Sequence, residues 1–571
     1  MRPSLRGVVI ISKLRFTLPR SGKKGLPMHP FHSRDPLQCL EQLNRIGIAL
    51  SRERDTEKLL ETILIAAQSL LNADGGTLYS LEEDSRHLRF EALRNDSLQL
   101  YLGGATGTAI PFAPIPLYDP AGQPNTGMVV TYAVLHDTTV VIDDAYADQT
   151  FDFSGTRLFD RQTGYRSRSF LTVPMKNHEG RIIGVFQLIN ALDPETGQVR
   201  TFAPADRRLA ESLASQAAIA LTNQQLIDQL QRLFESLIEL INVALDQKSP
   251  YTGAHCQRVP ILTVMIAEAA RRSERGRLKD FRPTAEELYE LRIAGLLHDC
   301  GKIVTPVHVV DKATKLETLF DRIELVDTRF EVLKRDAEIE LLKGRLAALE
   351  RGDPAATPSL EQRFRKRLTA LADDREHLRR CNIGGESMRP EDQDRVRWIA
   401  AYRWTGPDGR ERPFLSEEEV DNLCIVKGTL NPKERAIIEE HVKLTQRLLD
   451  TLPWPKRLRN VPEYAGNHHE QPDGGGYPRG LRQQELAMQA RIIGLADVFE
   501  ALTARDRPYK PGKPLSEVLA ILGRMAEDHR IDPDLFDVFI REGVWLQYAR
   551  QYLQPEQIDA VDVSRIPGYT P

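Results

Sequence analysis

From about residue 37 to residue 67, apolar residues recur at every third or fourth position. Leu59, Leu60, Ile63, Leu64 and Ala67 share one face, which predicts helix. The period then shortens. Residues 76–79, 88–92, 139–142, 169–173 and 182–189 are short apolar runs bounded by turn residues, and Asn177, His178, Glu179 and Gly180 mark a hairpin. Helical period returns at Pro204, with Ala210, Leu213, Ala217, Ala220 and Leu221 as the inner stripe. Helix, antiparallel sheet and helix make one α+β unit. Leu226, Leu230, Leu233, Leu237, Leu240 and Ile241 continue the pattern to about Ala244, the sign of a long helix that pairs with another helix.

A second helical rhythm occupies residues 313–423. Leu316, Leu319, Ile323, Val326, Phe330, Leu333 and Ala337 alternate by three and four like a coiled-coil seam, and Gly352, Asp353 and Pro354 break it. Leu360, Phe364, Leu368 and Leu371 then mark a returning helix. The pattern predicts a protruding antiparallel hairpin, read either as a platform for a protein partner or as a structural insertion with a solvated outer face. His377 lies among charged residues and reads as exposed.

Composition narrows the classes. The 571 residues carry a formal charge of -4, which gives no basic field for nucleic acid. No run approaches the ~18 apolar residues of a membrane span. Five scattered cysteines, none in a C-x-x-C pair, suit a reducing, cytoplasmic setting. Before Asp35 there are eight Lys/Arg and no Asp/Glu. Without an amphipathic period, residues 1–36 read as an unstructured leader, or as a start assigned ahead of Met28, rather than as a tether to an anionic surface.

Candidate chemistry gathers in the second half. His298 and Asp299 are adjacent at the end of an apolar helical run, and so are His468 and His469. Adjacent ligands at a helix end can aim at one point, and a carboxylate can bridge two cations. Asp497 sits in an apolar helix, where a carboxylate is costly unless paired or ligated. His255 and His441 lie on two further helices. Imidazoles and carboxylates without thiolates suit Fe, Mn, Ni or Zn rather than a structural zinc cage.

Two resemblances follow. Residues 73–79 (Ala-Asp-Gly-Gly-Thr-Leu-Tyr), 165–174 (Tyr-Arg-Ser-Arg-Ser-Phe-Leu-Thr-Val-Pro) and 184–190 (Gly-Val-Phe-Gln-Leu-Ile-Asn), with Phe202 and Asp206, resemble a GAF domain over about 40–225. That implies a small-molecule sensor or dimerisation module. Asn190, Phe202 and Asp206 fit the cyclic-nucleotide signature of some GAF domains. Ala191 and Arg207 depart from it, which leaves the GAF ligand open. Residues 251–255 (Tyr-Thr-Gly-Ala-His), 297–303 (Leu-His-Asp-Cys-Gly-Lys-Ile), 468–478 (His-His-Glu-Gln-Pro-Asp-Gly-Gly-Gly-Tyr-Pro) and 496–504 resemble an HD-GYP domain, a subgroup of the HD phosphohydrolases acting on cyclic di-GMP.

The resemblance implies a multidomain chain: a GAF domain (37–225), a connecting helix (209–248) and an all-α phosphohydrolase domain (245–312 and 424–550). The inserted hairpin (313–423) splits that domain, and a C-terminal tail (551–571) follows it. It also implies two divalent metals, Fe or Mn first and Ni or Zn as alternatives. His255, His298, Asp299 and Asp497 would hold one, and bridging Asp299 with His441, His468 and His469 the other. Tyr251 stands where some members carry a glutamate for a third metal. A metal-activated hydroxide would open cyclic di-GMP to pGpG or GMP. Lys302 would contact the scissile phosphate, and Arg507 and Lys510 the other phosphates. Asp473, Gly474, Gly476, Tyr477 and Pro478 would form a loop beside the site, with Tyr477 either on a base or bracing the loop, and Glu470 behind the histidines. A homodimer through the GAF unit and connecting helix belongs to the same expectation. The alternatives are a phosphohydrolase for another cyclic nucleotide and a catalytically weak signalling scaffold.

Overall fold

A computed structural model describes residues 36–82, 84–385, 387–504 and 512–570, without the side chains of 36, 250–254 and 354. The basic leader therefore lies outside the described residues up to position 35. Two compact units divide at Leu233/Phe234.

In the first unit the N-terminal helical pattern resolves into α1 (Pro36–Arg52) and α2 (Thr56–Leu71). They separate because Asp55 caps α2, its carboxylate accepting from the amides of Glu57 and Lys58. The sheet is antiparallel in the order β3–β2–β1–β7–β6–β5. Its strands are β1 (Ala73–Leu81), β2 (His87–Asn95), β3 (Leu100–Gly103), β5 (Val140–Ile142), β6 (Phe170–Lys176) and β7 (Ile182–Leu192). Two-residue β4 (Ile115–Pro116) pairs with β2, and β8 (Val199–Arg200) with β7. One main core joins α1, α2, the sheet and α5 (Pro204–Lys248) through Leu59, Ile63, Leu64, Phe186, Leu188, Leu213 and Ala217. Smaller clusters lie under α3 (Val129–Leu135) and beside α4 (Ser154–Thr163). The helix expected from Pro204 forms as α5, whose first residue is suited to that position, and it runs on without a break through the connecting stretch expected over 209–248.

The second unit is helical apart from a two-stranded ribbon, β9 (Arg403–Thr405) with β10 (Glu411–Pro413). Its main core is built by α6 (Pro250–Arg272), α7 (Ala285–Leu297), α14 (Val461–Gly466), α15 (Met488–Thr503), α16 (Leu515–Glu527), α17 (Pro533–Arg541) and α18 (Val544–Tyr552). Short α8 (Val307–Val310) and longer α13 (Pro432–Asp450) complete the frame around the candidate site.

Four expectations are corrected here. The hairpin helices α9 (Ile323–Glu350) and α10 (Thr357–Asn382) form, but the seam does not include Leu319, which is 93% exposed. Glu317 accepts from the amides of Ala313 and Thr314, and Asp321 from Ile323, so polar side chains hold the approach to α9 in a turn. Nor is the insertion only a hairpin. With α11 (Pro390–Ala400), the ribbon and α12 (Glu417–Leu423), it encloses its own core of Leu316, Phe330, Leu371, Leu378, Ile399 and Phe414. His377 belongs to that packed region, 3% exposed, with Nε2 3.3 Å from the Asp392 carbonyl. Finally, residues 551–570 are not a separate tail: Ile566 joins the main core and Gln557 donates to the Thr503 carbonyl at 2.9 Å.

Candidate metal centre

Six elements of the second unit bring the ligand-type residues together. His255 projects from α6, His298 caps the end of α7, and Asp299 opens the 3-10 turn Cys300–Val304. His441 comes from α13, His468 and His469 follow α14, and Asp497 comes from α15. The approach is close. A side chain at Gly301 would stand 2.1 Å from the His441 carbonyl, so only glycine lets the turn lie against α13.

Asp299 sits at the middle. Its Oδ2 faces His298 Nε2 at 3.3 Å and His255 Nε2 at 3.7 Å. Its Oδ1 faces His441 Nε2 at 3.1 Å and His468 Nε2 at 3.9 Å. Asp497 Oδ1 lies 3.0 Å from His255 Nε2, and Oδ2 lies 3.8 Å from His469 Nδ1. His255, His298 and Asp299 form one group of converging donor atoms, and His441, His468 and His469 a second. One carboxylate thus presents an oxygen to each group.

The rings are oriented from behind. His298 Nδ1 donates to the Gly295 carbonyl at 2.8 Å and His468 Nδ1 to the Ala465 carbonyl at 2.6 Å, while His441 Nδ1 donates to Ile438. This leaves each Nε2 as the inward lone pair. His298 Nε2, His441 Nε2, His468 Nε2 and Asp299 Oδ1 are buried without a hydrogen-bond partner. Each orphaned atom costs about 1–3 kcal/mol. Divalent cations would satisfy all four, so the donor set fits a pair of them, held by nitrogen and oxygen. Cys256 and Cys300 lie close in sequence, but burial pushes both thiols up, Cys300 to about 11, so both remain protonated.

Electrostatics follow from burial and pairing. Burial drives His468 well below its ordinary value and His469 down to about 4, which keeps both neutral. Burial opposes charge on His255 too, but the carboxylates of Asp497 and Glu500 outweigh it and raise His255 to about 9. Despite their burial, Asp299 and Asp497 are held well below the carboxylate range. Lys302 and His298 do this for Asp299, and His255 for Asp497.

Glu500 and Arg258 stand behind His255, and neither was among the residues singled out from the sequence. Glu500 accepts from His255 Nδ1, and Arg258 Nε donates to its other oxygen at 2.6 Å. The signal was available in principle: like Asp497, Glu500 is an acid in the apolar helix α15. Lys302 reaches Asp299 Oδ2 at 2.7 Å. Tyr477 leans its ring on His469, with centroids 4.9 Å apart, and its amide donates to the His469 carbonyl. Glu470 lies behind the loop rather than behind the histidines, accepting from the amides of Arg479 and Leu481 at 2.7 and 2.8 Å. Asp473 accepts from the Gly475 amide, and Gly474 adopts a φ of 86°. Gly476 passes so near Glu470 that a side chain there would meet the Gln471 nitrogen at 2.3 Å. Arg507, Lys510 and the side chain of Tyr251 lie outside the described residues.

Comparison with known proteins adds to this geometry. The GAF domain family matches residues 55–221, and HD domain families match 252–376 and 418–535. A 3'3'-cGAMP-specific phosphodiesterase 1 of Vibrio cholerae is 39% identical over 127 residues, 22% of this chain and 27% of the relative. A cyclic di-GMP phosphodiesterase of Thermotoga maritima is 33% identical over 132 residues, 21% of this chain and 35% of the relative. A cyclic di-GMP phosphodiesterase response regulator of Xanthomonas campestris is 30% identical over 230 residues, 37% of this chain and 56% of the relative. The chain therefore spans between about a quarter and just over half of these relatives.

Proposed function

We propose, from the premise that this chain joins a GAF domain to an HD domain, that it is a metal-dependent phosphodiesterase of the HD-GYP type acting on cyclic di-GMP. The observation that carries this reading is the Asp299 carboxylate set between two histidine groups, with four buried donor atoms unpartnered. His255, His298, Asp299 and Asp497 would hold one cation, and Asp299, His441, His468 and His469 the other. When bound, such a pair supplies an activated water and neutralises charge on the phosphoryl oxygens.

The chain's own groups do the rest. The Nδ1 hydrogen bonds fix the imidazoles with Nε2 inward. Lys302 stands at the edge of the site, 20% exposed at its side chain, where its ammonium can also meet a substrate phosphate. Tyr477 is braced on His469, at the second histidine group. The loop of Asp473, Gly474, Gly476 and Pro478 carries it there. The reading also includes a homodimer, because the stripe Leu226, Leu230, Leu233, Leu237 and Leu240 on α5 is exposed. A GAF ligand and a protein partner at the insertion remain part of the proposal. No helix among the described residues is long and apolar enough to cross a membrane.

A second reading takes 3'3'-cGAMP as substrate, favoured by the relative at 39% identity. One experiment separates the two. Protein loaded with Mn or ferrous iron is incubated with each cyclic dinucleotide, and the products are resolved by chromatography. Preferred conversion of cyclic di-GMP to pGpG or GMP supports the first reading, and preferred conversion of the hybrid nucleotide the second. No turnover of either overturns both.

A further inference from the structure

The long helix α5 ends on the turn that carries the candidate site. It stops at Lys248 because Pro250 opens α6, and the residue before a proline is pushed out of helical geometry. Lys248 Nζ donates to the Lys302 carbonyl at 3.1 Å and to the Ile303 carbonyl. Those are the last carbonyls of the 3-10 turn Cys300–Val304, and the Lys302 carbonyl also accepts from the Thr305 amide at 3.1 Å. The next residue, Ser249, donates from Oγ to Asp311 Oδ1 at 2.5 Å. Two successive residues at the end of α5 therefore hold both ends of the segment 302–311.

The opposite side of the turn is also fixed. The Gly301 amide donates to Thr445 Oγ1 of α13 at 2.9 Å. Asp299 and Lys302 thus sit on a turn gripped from one side by α13 and from the other by the end of α5. The α13 grip is tight and buried. The Lys248 grip is the outer one, since its bond to the Ile303 carbonyl is exposed and that carbonyl can exchange its protein partner for water.

We propose that Lys248 is a positioning residue. Through its bonds to the Lys302 and Ile303 carbonyls, the end of α5 sets Asp299 and Lys302 within the metal centre, so a displacement of α5 is felt first at this turn. The expected change in turnover rests on the phosphodiesterase reading; the contact does not.

The test uses the full chain with K248M, K248A and K248R. Hydrogen exchange is followed on peptides covering 299–305, with 441–446 as the control, together with metal content, kcat and KM. K248M and K248A are expected to exchange faster at 299–305 and not at the control. They keep wild-type metal content and KM, and kcat falls between about 5- and 100-fold, the range for a displaced catalytic group. K248R restores most of both signals. Two truncations are used so that misfolding of one leaves the other to decide. Unchanged exchange at 299–305 overturns the proposal whatever happens to turnover. Faster exchange with unchanged kcat overturns the positioning role. If the wild-type chain turns over no cyclic dinucleotide, the functional reading fails, while the exchange data still decide the contact.

Discussion

Each unit of this chain buries a polar cluster, and the two differ in one respect. In the GAF unit, Tyr165 donates to Asp74 at 2.5 Å and Asn190 donates to Tyr165 and to the Arg166 carbonyl. Asn190 Oδ1 accepts from the Arg168 and Ser169 amides, Asp74 accepts from Ser97, and Asp160 accepts from Ser167 and Tyr146. The ring of bonds closes within the chain. In the helical unit, four buried donor atoms face one another unpartnered. Burial of polar groups is common to both and so points to nothing. The unmet partner is what marks a place for a guest. The first cluster fastens a sheet; the second is costly until something else arrives.

The largest expected effect comes from cutting into the second cluster. D299A or H468L should lower phosphodiesterase turnover at least ~1,000-fold, the scale of losing a few kcal/mol of transition-state stabilisation. Metal analysis of the same preparations should show reduced occupancy. The comparison makes a sharper demand on stability. In the metal-free protein, H468L should cost no more than about 1 kcal/mol, because losing the orphaned Nε2 offsets losing the Nδ1 bond to the Ala465 carbonyl. A large loss of metal-free stability in a urea titration would break the contrast.

The mirror experiment is N190A. It removes four hydrogen bonds and places alanine at a φ of 56°, a left-handed value that asparagine tolerates. It should cost about 3 kcal/mol in the unfolding of the GAF unit. Metal content of the helical unit should not change. Loss of metal in N190A would mean that the two clusters are not independent.

Metal removal comes next in size. A chelator should lower the stability of the helical unit by about 2.7 kcal/mol for each ion previously present at 100 times its Kd. The GAF unit's own transition should stay in place, which differential scanning calorimetry with and without chelator can resolve. A chelator effect on the GAF transition alone would reverse the assignment.

The sequence showed the second cluster more readily than the fold around it. Adjacent His298 and Asp299, adjacent His468 and His469, and Asp497 in an apolar helix each carry a local signal, so the ligands were legible one by one. What could not be read was what stands behind them. Glu500 meets His255 and Arg258 across more than 240 positions, and no local pattern encodes that pairing. The insertion failed differently. Its seam keeps period through Leu319, yet Glu317 and Asp321 capture the backbone there and stop the helix short. His377 was misread because neighbouring charges say nothing of which side of α10 meets α11.

Glu500 supplies the smallest prediction and the finest test of the contrast. It is a fully partnered group touching the unpartnered cluster, and its carboxylate fixes the tautomer that turns His255 Nε2 toward Asp497 and Asp299. E500Q keeps the volume and an oxygen that can accept from Nδ1, but loses the charge that binds Arg258 and strengthens the imidazole as a ligand. Partners of this kind are worth about 10- to 100-fold in metal affinity, or roughly 1.4–2.8 kcal/mol. E500Q should therefore release metal to a competing chelator more readily, with the fall in turnover recovered at high metal concentration. D299A should show no such recovery, because it removes a ligand and not its support. If E500Q matched D299A in both respects, Glu500 would have to act at the reacting atoms themselves. The line between the group that holds a guest and the group that holds the holder would then need to be redrawn.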